Sequence, residues 1–192
     1  MAAPTDRAPS TEVGAATADD VIEAFTFAAD RLVARLEGLD DDELFWAPVA
    51  DCWTVREVAP GTWAMDGGDV EGYAPVTTIA WRIAHLAGHV LGGFATWLLD
   101  GGSPYGADGE VPHTASGSVA LLERNLRRFD EGLGRLDAAG WRREIGEQFG
   151  PYADSRTAAL VLHVLDEFVH HAAEVSLLRD LYRARGGATP HD

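Results

Sequence analysis

Apolar residues recur at intervals of three and four along several stretches of the chain, the spacing that lines one face of an α-helix. In the first stretch Val21, Ile22, Phe25, Ala28, Ala29, Leu32 and Leu36 share a face. Thr17, with Asp20 at the third position, predicts its start, and Gly38 its end. A second helix, almost wholly apolar, runs from a cap at Thr77 or Thr78 through Leu99, and Gly101 and Gly102 stop it. A third opens at Ser116 or Ser118, carries Val119, Leu122, Leu126, Phe129, Leu133 and Leu136 on one stripe, and closes at Gly140. After a Gly150-Pro151 turn, a fourth extends from about Ser155 to Arg185, ahead of Gly186 and Gly187.

Between the first two helices, Leu39 to Val76 holds too many glycines and prolines for one regular element. The segments DDDELFW and TVREV could each make a short helix, and Trp46, Trp53 and Trp63 predict a connection packed on the helices. Trp46 and Trp53 are expected to form a lid over one end. No alternation of period two is long enough to demand a strand. Residues 1–16, rich in Ala, Pro, Ser and Thr, predict a flexible tail, and 186–192 a C-terminal tail. Residues 17–185 then form a single all-α domain, a four-helix bundle with a long aromatic-containing connection between helices 1 and 2.

Charge narrows the partners. With 15 Lys plus Arg against 31 Asp plus Glu, the formal net charge is -16, which repels phosphate backbones and anionic lipid surfaces. Nucleic acid and membrane are therefore excluded as expected partners. No apolar run reaches the roughly 18 to 20 residues of a bilayer span, and MAAPTDRAPSTEVGAA lacks the basic and hydrophobic regions of a secretion signal, so a cytoplasmic location is expected. The single cysteine, Cys52, sits among tryptophans and reads as packing before nucleophile.

Two polar stripes interrupt otherwise apolar helices. Between Ile79 and Leu99 the ionisable residues are Arg82, His85 and His89, which fall within about 60° of one another at about 100° per residue. Ile79, Ile83, Val90 and Phe94 centre on the opposite side, so by periodicity alone this stripe faces water. On the fourth helix, with His163 at zero, His170 falls near about -20°, Glu174 near about 20°, Glu167 near about 40° and His171 near about 80°. Core residues fill the arc beyond about 100°, which puts Glu167 and His171 at the core border and turns His170 toward solvent. A carboxylate and an imidazole at i and i+4 can share one divalent ion, although such a pair is commonly only a surface hydrogen bond. A histidine from helix 2 beside a Glu and His pair from helix 4 would give three ligands and leave positions open, as a catalytic site requires. The zinc-protease order HExxH does not occur.

The segments WAPVADCWTVRE, TTIAWRIAHLAGHV and ALVLHVLDEFVHHAAEVSLLRDLY, in that order and spacing, resemble the DinB-like superfamily over about residues 18 to 184. The resemblance implies a four-helix bundle with crossed connection order, often a homodimer, and a divalent ion held by three histidines. It also implies activities such as thiol-dependent transfer, including a thiol-dependent maleylpyruvate isomerase. The family's first ligand falls on His85 and its last on His171, while the middle histidine falls on Glu167. Glutamate is an acceptable ligand for zinc, nickel, manganese or iron, so a site of His85, Glu167 and His171 is expected. The expected function is a metal-dependent transferase or hydrolase acting on a small molecule, with a low-molecular-weight thiol as co-substrate. The alternative is a metal-free small-molecule-binding or protein-interaction bundle; a weaker option lets the acidic surface recruit a basic protein. His89 reads as an alternative ligand or packing residue, His163, His113 and His191 as surface, and Arg82 as a salt-bridge partner of Glu167.

Overall fold

The computed structural model describes residues 15–68, 75–104 and 111–185. Helix α1 (Ala15–Arg35) begins before Thr17, which lies inside it and is exposed. The predicted tail therefore gives up Ala15 and Ala16 to the helix, while its remainder and 186–192 lie outside the described residues. Helix α2 (Asp41–Leu44) is the short helix expected of DDDELFW, capped by the Asp40 side chain accepting from the Glu43 amide at 2.8 Å.

TVREV does not become a helix. Strand β1 (Val55–Ala59) pairs antiparallel with β2 (Thr62–Met65), in a register that sets Val55 opposite Met65 and Glu57 opposite Trp63. Gly61 turns the hairpin at φ 75°, and its amide donates to Glu57 Oε1 at 2.8 Å. The fold is thus mostly helical with one small sheet, rather than strictly all-α. The strands are too short, and too exposed on β1, for an alternating pattern to stand out from the chain.

The second long rod starts as α3 (Ile79–Ile83), capped by Thr78, which accepts from the Trp81 amide at 3.3 Å. It continues through a π-helical segment, Ala84–Gly92, into α4 (Gly93–Asp100), and Gly101 ends it in the left-handed conformation at φ 67°. Helix α5 (Ala115–Gly134) is capped by Thr114, whose side chain accepts from the Gly117 amide; the predicted caps Ser116 and Ser118 fall inside it. It ends at Gly134, and Gly140 belongs to a separate short helix, α6 (Ala138–Arg142). The turn near Gly150 and Pro151 is a 3-10 segment, Glu147–Tyr152, and α7 (Thr157–Ala184) completes the order.

Helix α7 packs on α1, α3 and the π segment, and the π segment packs in turn on α5. The centre is an aromatic knot in which the Phe25 ring lies 5.2 Å from Phe129 and 5.0 Å from Phe168. All three rings are buried, with Leu32, Ile83, Leu122 and Val164 around them. Cys52 is buried, as packing requires.

Candidate metal centre

Trp53 and Trp81 set the near wall. The Trp53 amide donates to the Val76 carbonyl at 3.0 Å and the Thr78 amide to the Trp53 carbonyl at 2.9 Å, which ties the long connection to the start of α3. The Trp81 indole N–H donates to the Asp66 carbonyl at 2.7 Å, and its ring lies 5.8 Å from that of Trp53. So fixed, Trp81 stacks on His85 with centroids 5.1 Å apart and planes 16° from parallel. Trp46 sits elsewhere, edge-on to Tyr182 near the end of α7, so the predicted lid of Trp46 and Trp53 does not form, and Trp53 packs on Trp81 instead.

His85 stands on the π segment, whose wider turn departs from the regular wheel on which His85 faced away from the apolar side. Its ring meets His171 of α7 edge-on at 5.0 Å. The π segment is gripped by α5: the buried Asn125 donates from Nδ2 to the Ala87 carbonyl at 2.8 Å. Gly92 permits this approach, because a Cβ there would lie 2.9 Å from Asn125 Nδ2. Asn125→Leu should therefore cost about 1–2 kcal/mol of stability in urea titration, the loss of a buried hydrogen bond. A change under about 0.5 kcal/mol would mean the grip is idle.

His85, Glu167 and His171 each offer a ligand atom, all within 4.8 Å of one another. Glu167 Oε2 lies 3.2 Å from His171 Nε2 and 3.9 Å from His85 Nε2. Ligand bonds of about 2.0–2.2 Å at tetrahedral angles separate donor atoms by about 3.3–3.5 Å, so these atoms could close on one ion with little movement. His171 is buried, and its Nδ1 lies 2.7 Å from Glu174 Oε2; in the tautomer that donates there, Nε2 turns its lone pair to the shared centre. Glu174 is itself held by Arg82 Nε at 2.9 Å and by His170 Nε2 at 3.2 Å. Burial alone would raise the Glu174 carboxyl, but the hydrogen bond from His171 and the charge of Arg82 outweigh it and hold it below the usual range. Arg82 thus pairs with Glu174, not with Glu167 as the sequence suggested.

Burial, then the neighbouring His171 and His89, push the His85 imidazole down to about 4, against the pull of Glu167. At neutral pH it is an uncharged donor, the form that binds metal. A second group, His170, His171 and Glu174, is also compact, but Arg82 places a cation on its carboxylate. That makes Glu174 an orienting acceptor for His171, a role the sequence left unassigned although its i+3 spacing allows it. His89 is exposed, with its ring 6.0 Å from His85 and outside both groups. His163 is exposed beside Phe94, His113 stacks on Trp63 at 4.7 Å, and His191 lies outside the described residues.

The fold and site define a helical protein with a histidine and carboxylate cluster between two long antiparallel rods, in which His85 is buried enough to stay neutral. The family model of the DinB superfamily matches residues 24–175, and the chain belongs to that superfamily. No curated protein and no solved structure matches it. Among the described residues no helix is long and apolar enough to cross a membrane.

Proposed function

We propose that the protein is a divalent-metal-dependent enzyme acting on a small molecule, a thiol-dependent transferase or a hydrolase, with His85, Glu167 and His171 as the ligands. The observation that carries this reading is the hydrogen bond from His171 Nδ1–H to Glu174, which turns Nε2 toward Glu167 and His85. A surface hydrogen-bonding pair needs no such orientation, whereas a metal ligand regularly has it. Zinc, nickel, manganese and iron all accept this donor set, and the ion would supply Lewis-acid polarisation of an oxygen or sulfur. Three protein ligands leave positions for substrate and for a low-molecular-weight thiol.

The chain's own groups do the rest. His85 stays neutral, Glu174 fixes the His171 tautomer, Arg82 neutralises Glu174, and Trp81 covers one face of the His85 ring. The same proposal places residues 17–185 in one DinB-like four-helix bundle, in a cytoplasmic homodimer. Protein purified without an affinity tag should carry close to one divalent ion per chain by elemental analysis, and His171→Ala should carry less than about a tenth of that. Unchanged metal in the variant sinks the assignment, and no metal in the parent leaves the metal-free binding bundle as the better reading.

A further inference from the structure

The two rods that carry the metal centre also wall a cavity of about 430 Å³. They run antiparallel: Arg82 meets Glu174, His85 meets His171, and Phe94 meets the edge of His163 at 6.4 Å. His163 precedes Glu167 by four residues and His171 by eight, so it lies about 6 Å and about 12 Å along α7 from them. Of the α7 residues lining the cavity, His163 is the nearest to the cluster.

The far wall is a folded loop. The Ile145 amide donates to the Ser155 carbonyl at 2.9 Å and the Gly146 amide to the Ala153 carbonyl at 3.0 Å. Glycines at φ 92° (Gly146) and 56° (Gly150) let the chain double back. This closure brings Phe149 parallel to Phe94 at 6.3 Å, with Trp97 edge-on behind it at 5.4 Å. Phe94, Ile145, Phe149 and Leu160 are buried apolar walls; Tyr152, Ser155 and His163 add the polar groups.

The cavity opens to solvent past the exposed Tyr152, Ala159 and His163, and its apolar walls give water few partners. The volume falls in the range of small-molecule sites, which combine apolar walls with a few polar groups. We propose that this cavity seats the apolar body, an aromatic or branched-alkyl group, of an amphiphilic substrate whose head group reaches the metal centre over about five to ten bonds. The span rests on the metal-dependent reading above; the cavity does not.

Calorimetric titration of the zinc-loaded protein with acetohydroxamate, 3-phenylpropanohydroxamate and 5-phenylpentanohydroxamate tests it. Burying the phenyl group should tighten binding by about 10- to 100-fold from the first probe to the last. Ala159 lines the cavity and is exposed, so Ala159→Trp should obstruct the cavity without disturbing the core. That variant should lose the gain while binding acetohydroxamate as the parent does. Ala159→Phe provides the same test if the tryptophan variant does not fold. Affinity independent of the tail, or a gain that survives both substitutions, overturns the proposal. If the protein takes up no zinc, the metal reading fails by itself and 5-phenyl-1-pentanol tests the cavity. Binding lost in Ala159→Trp keeps the cavity; no binding, or binding unaffected by the substitution, removes it.

Discussion

Replacing Arg179 with alanine should lower the stability of the fold by about 3–5 kcal/mol, the largest single-residue effect expected outside the aromatic core. Arg179 is 1% exposed and Glu43 3%, which leaves neither charge free to use water. The guanidinium grips the carboxylate at both ends, with Nε on Oε1 and Nη2 on Oε2, each at 2.8 Å. Its Nη1 donates to the carbonyls of Arg35 and Glu37, where α1 ends. One side chain thus ties α7 to the ends of α1 and α2. Its removal strands a buried carboxylate and two carbonyls, whose desolvation dominates the loss. Urea titration of Arg179→Ala, Glu43→Ala and the double variant checks it. The double variant should be less destabilised than the sum of the singles, since the second removal takes away the charge that the first stranded. Additive losses, or a single-variant loss under about 1 kcal/mol, would refute the clamp. Metal content should stay unchanged in all three, because His171 lies eight residues and about 12 Å of helix away.

That clamp was not legible in the sequence, and the reason is general. Periodicity reports which face of a helix is buried, so Phe25, Leu32, Leu122, Phe129 and Leu133 could be assigned to the core from spacing alone. It reports nothing about a partner 136 residues distant, as Glu43 is from Arg179. The hairpin escaped for a different reason, since two strands of five and four residues offer too few positions to display a period of two. At the metal centre both kinds of reading met. The border position of Glu167 and His171 followed from a regular wheel because α7 is one unbroken α-helix. The wheel misdirected His85 because the rod carrying it is π-helical from Ala84 to Gly92, and a fixed advance of about 100° per residue does not hold there. The family resemblance supplied His85 where geometry had pointed it to water. Neither route supplied Glu174 as the partner of both His171 and Arg82, because that role depends on two rods meeting.

The neutral state of His85 should make the metal-free protein acid-labile in a window that one residue defines. In the fold its pKa is about 4, while the unfolded chain keeps the ordinary value near 6.5. Below about pH 6.5 the unfolded state therefore takes up a proton that the folded state refuses, and stability falls as pH drops toward 4. The contribution is complete above pH 6.5 and is exhausted once the folded state is also protonated. At about 1.4 kcal/mol per tenfold, the lowering corresponds to at most about 3.5 kcal/mol, and partial exposure of the ring trims this toward 2. Glu174 acts with the same sign, since its lowered pKa gives stability that is lost as the carboxylate protonates. The groups facing His85 do not reverse the effect: His171 and His89 oppose its protonation and only Glu167 favours it. Comparing the parent with His85→Gln, which cannot titrate, isolates the effect from the other carboxylates. In chelator-treated protein, the stability advantage of the parent over His85→Gln should shrink by about 1–2 kcal/mol between pH 7 and pH 4.5. A difference that stays constant across that range would show that His85 titrates normally in the fold, and that its ring is open to water instead of held neutral between Trp81 and His171.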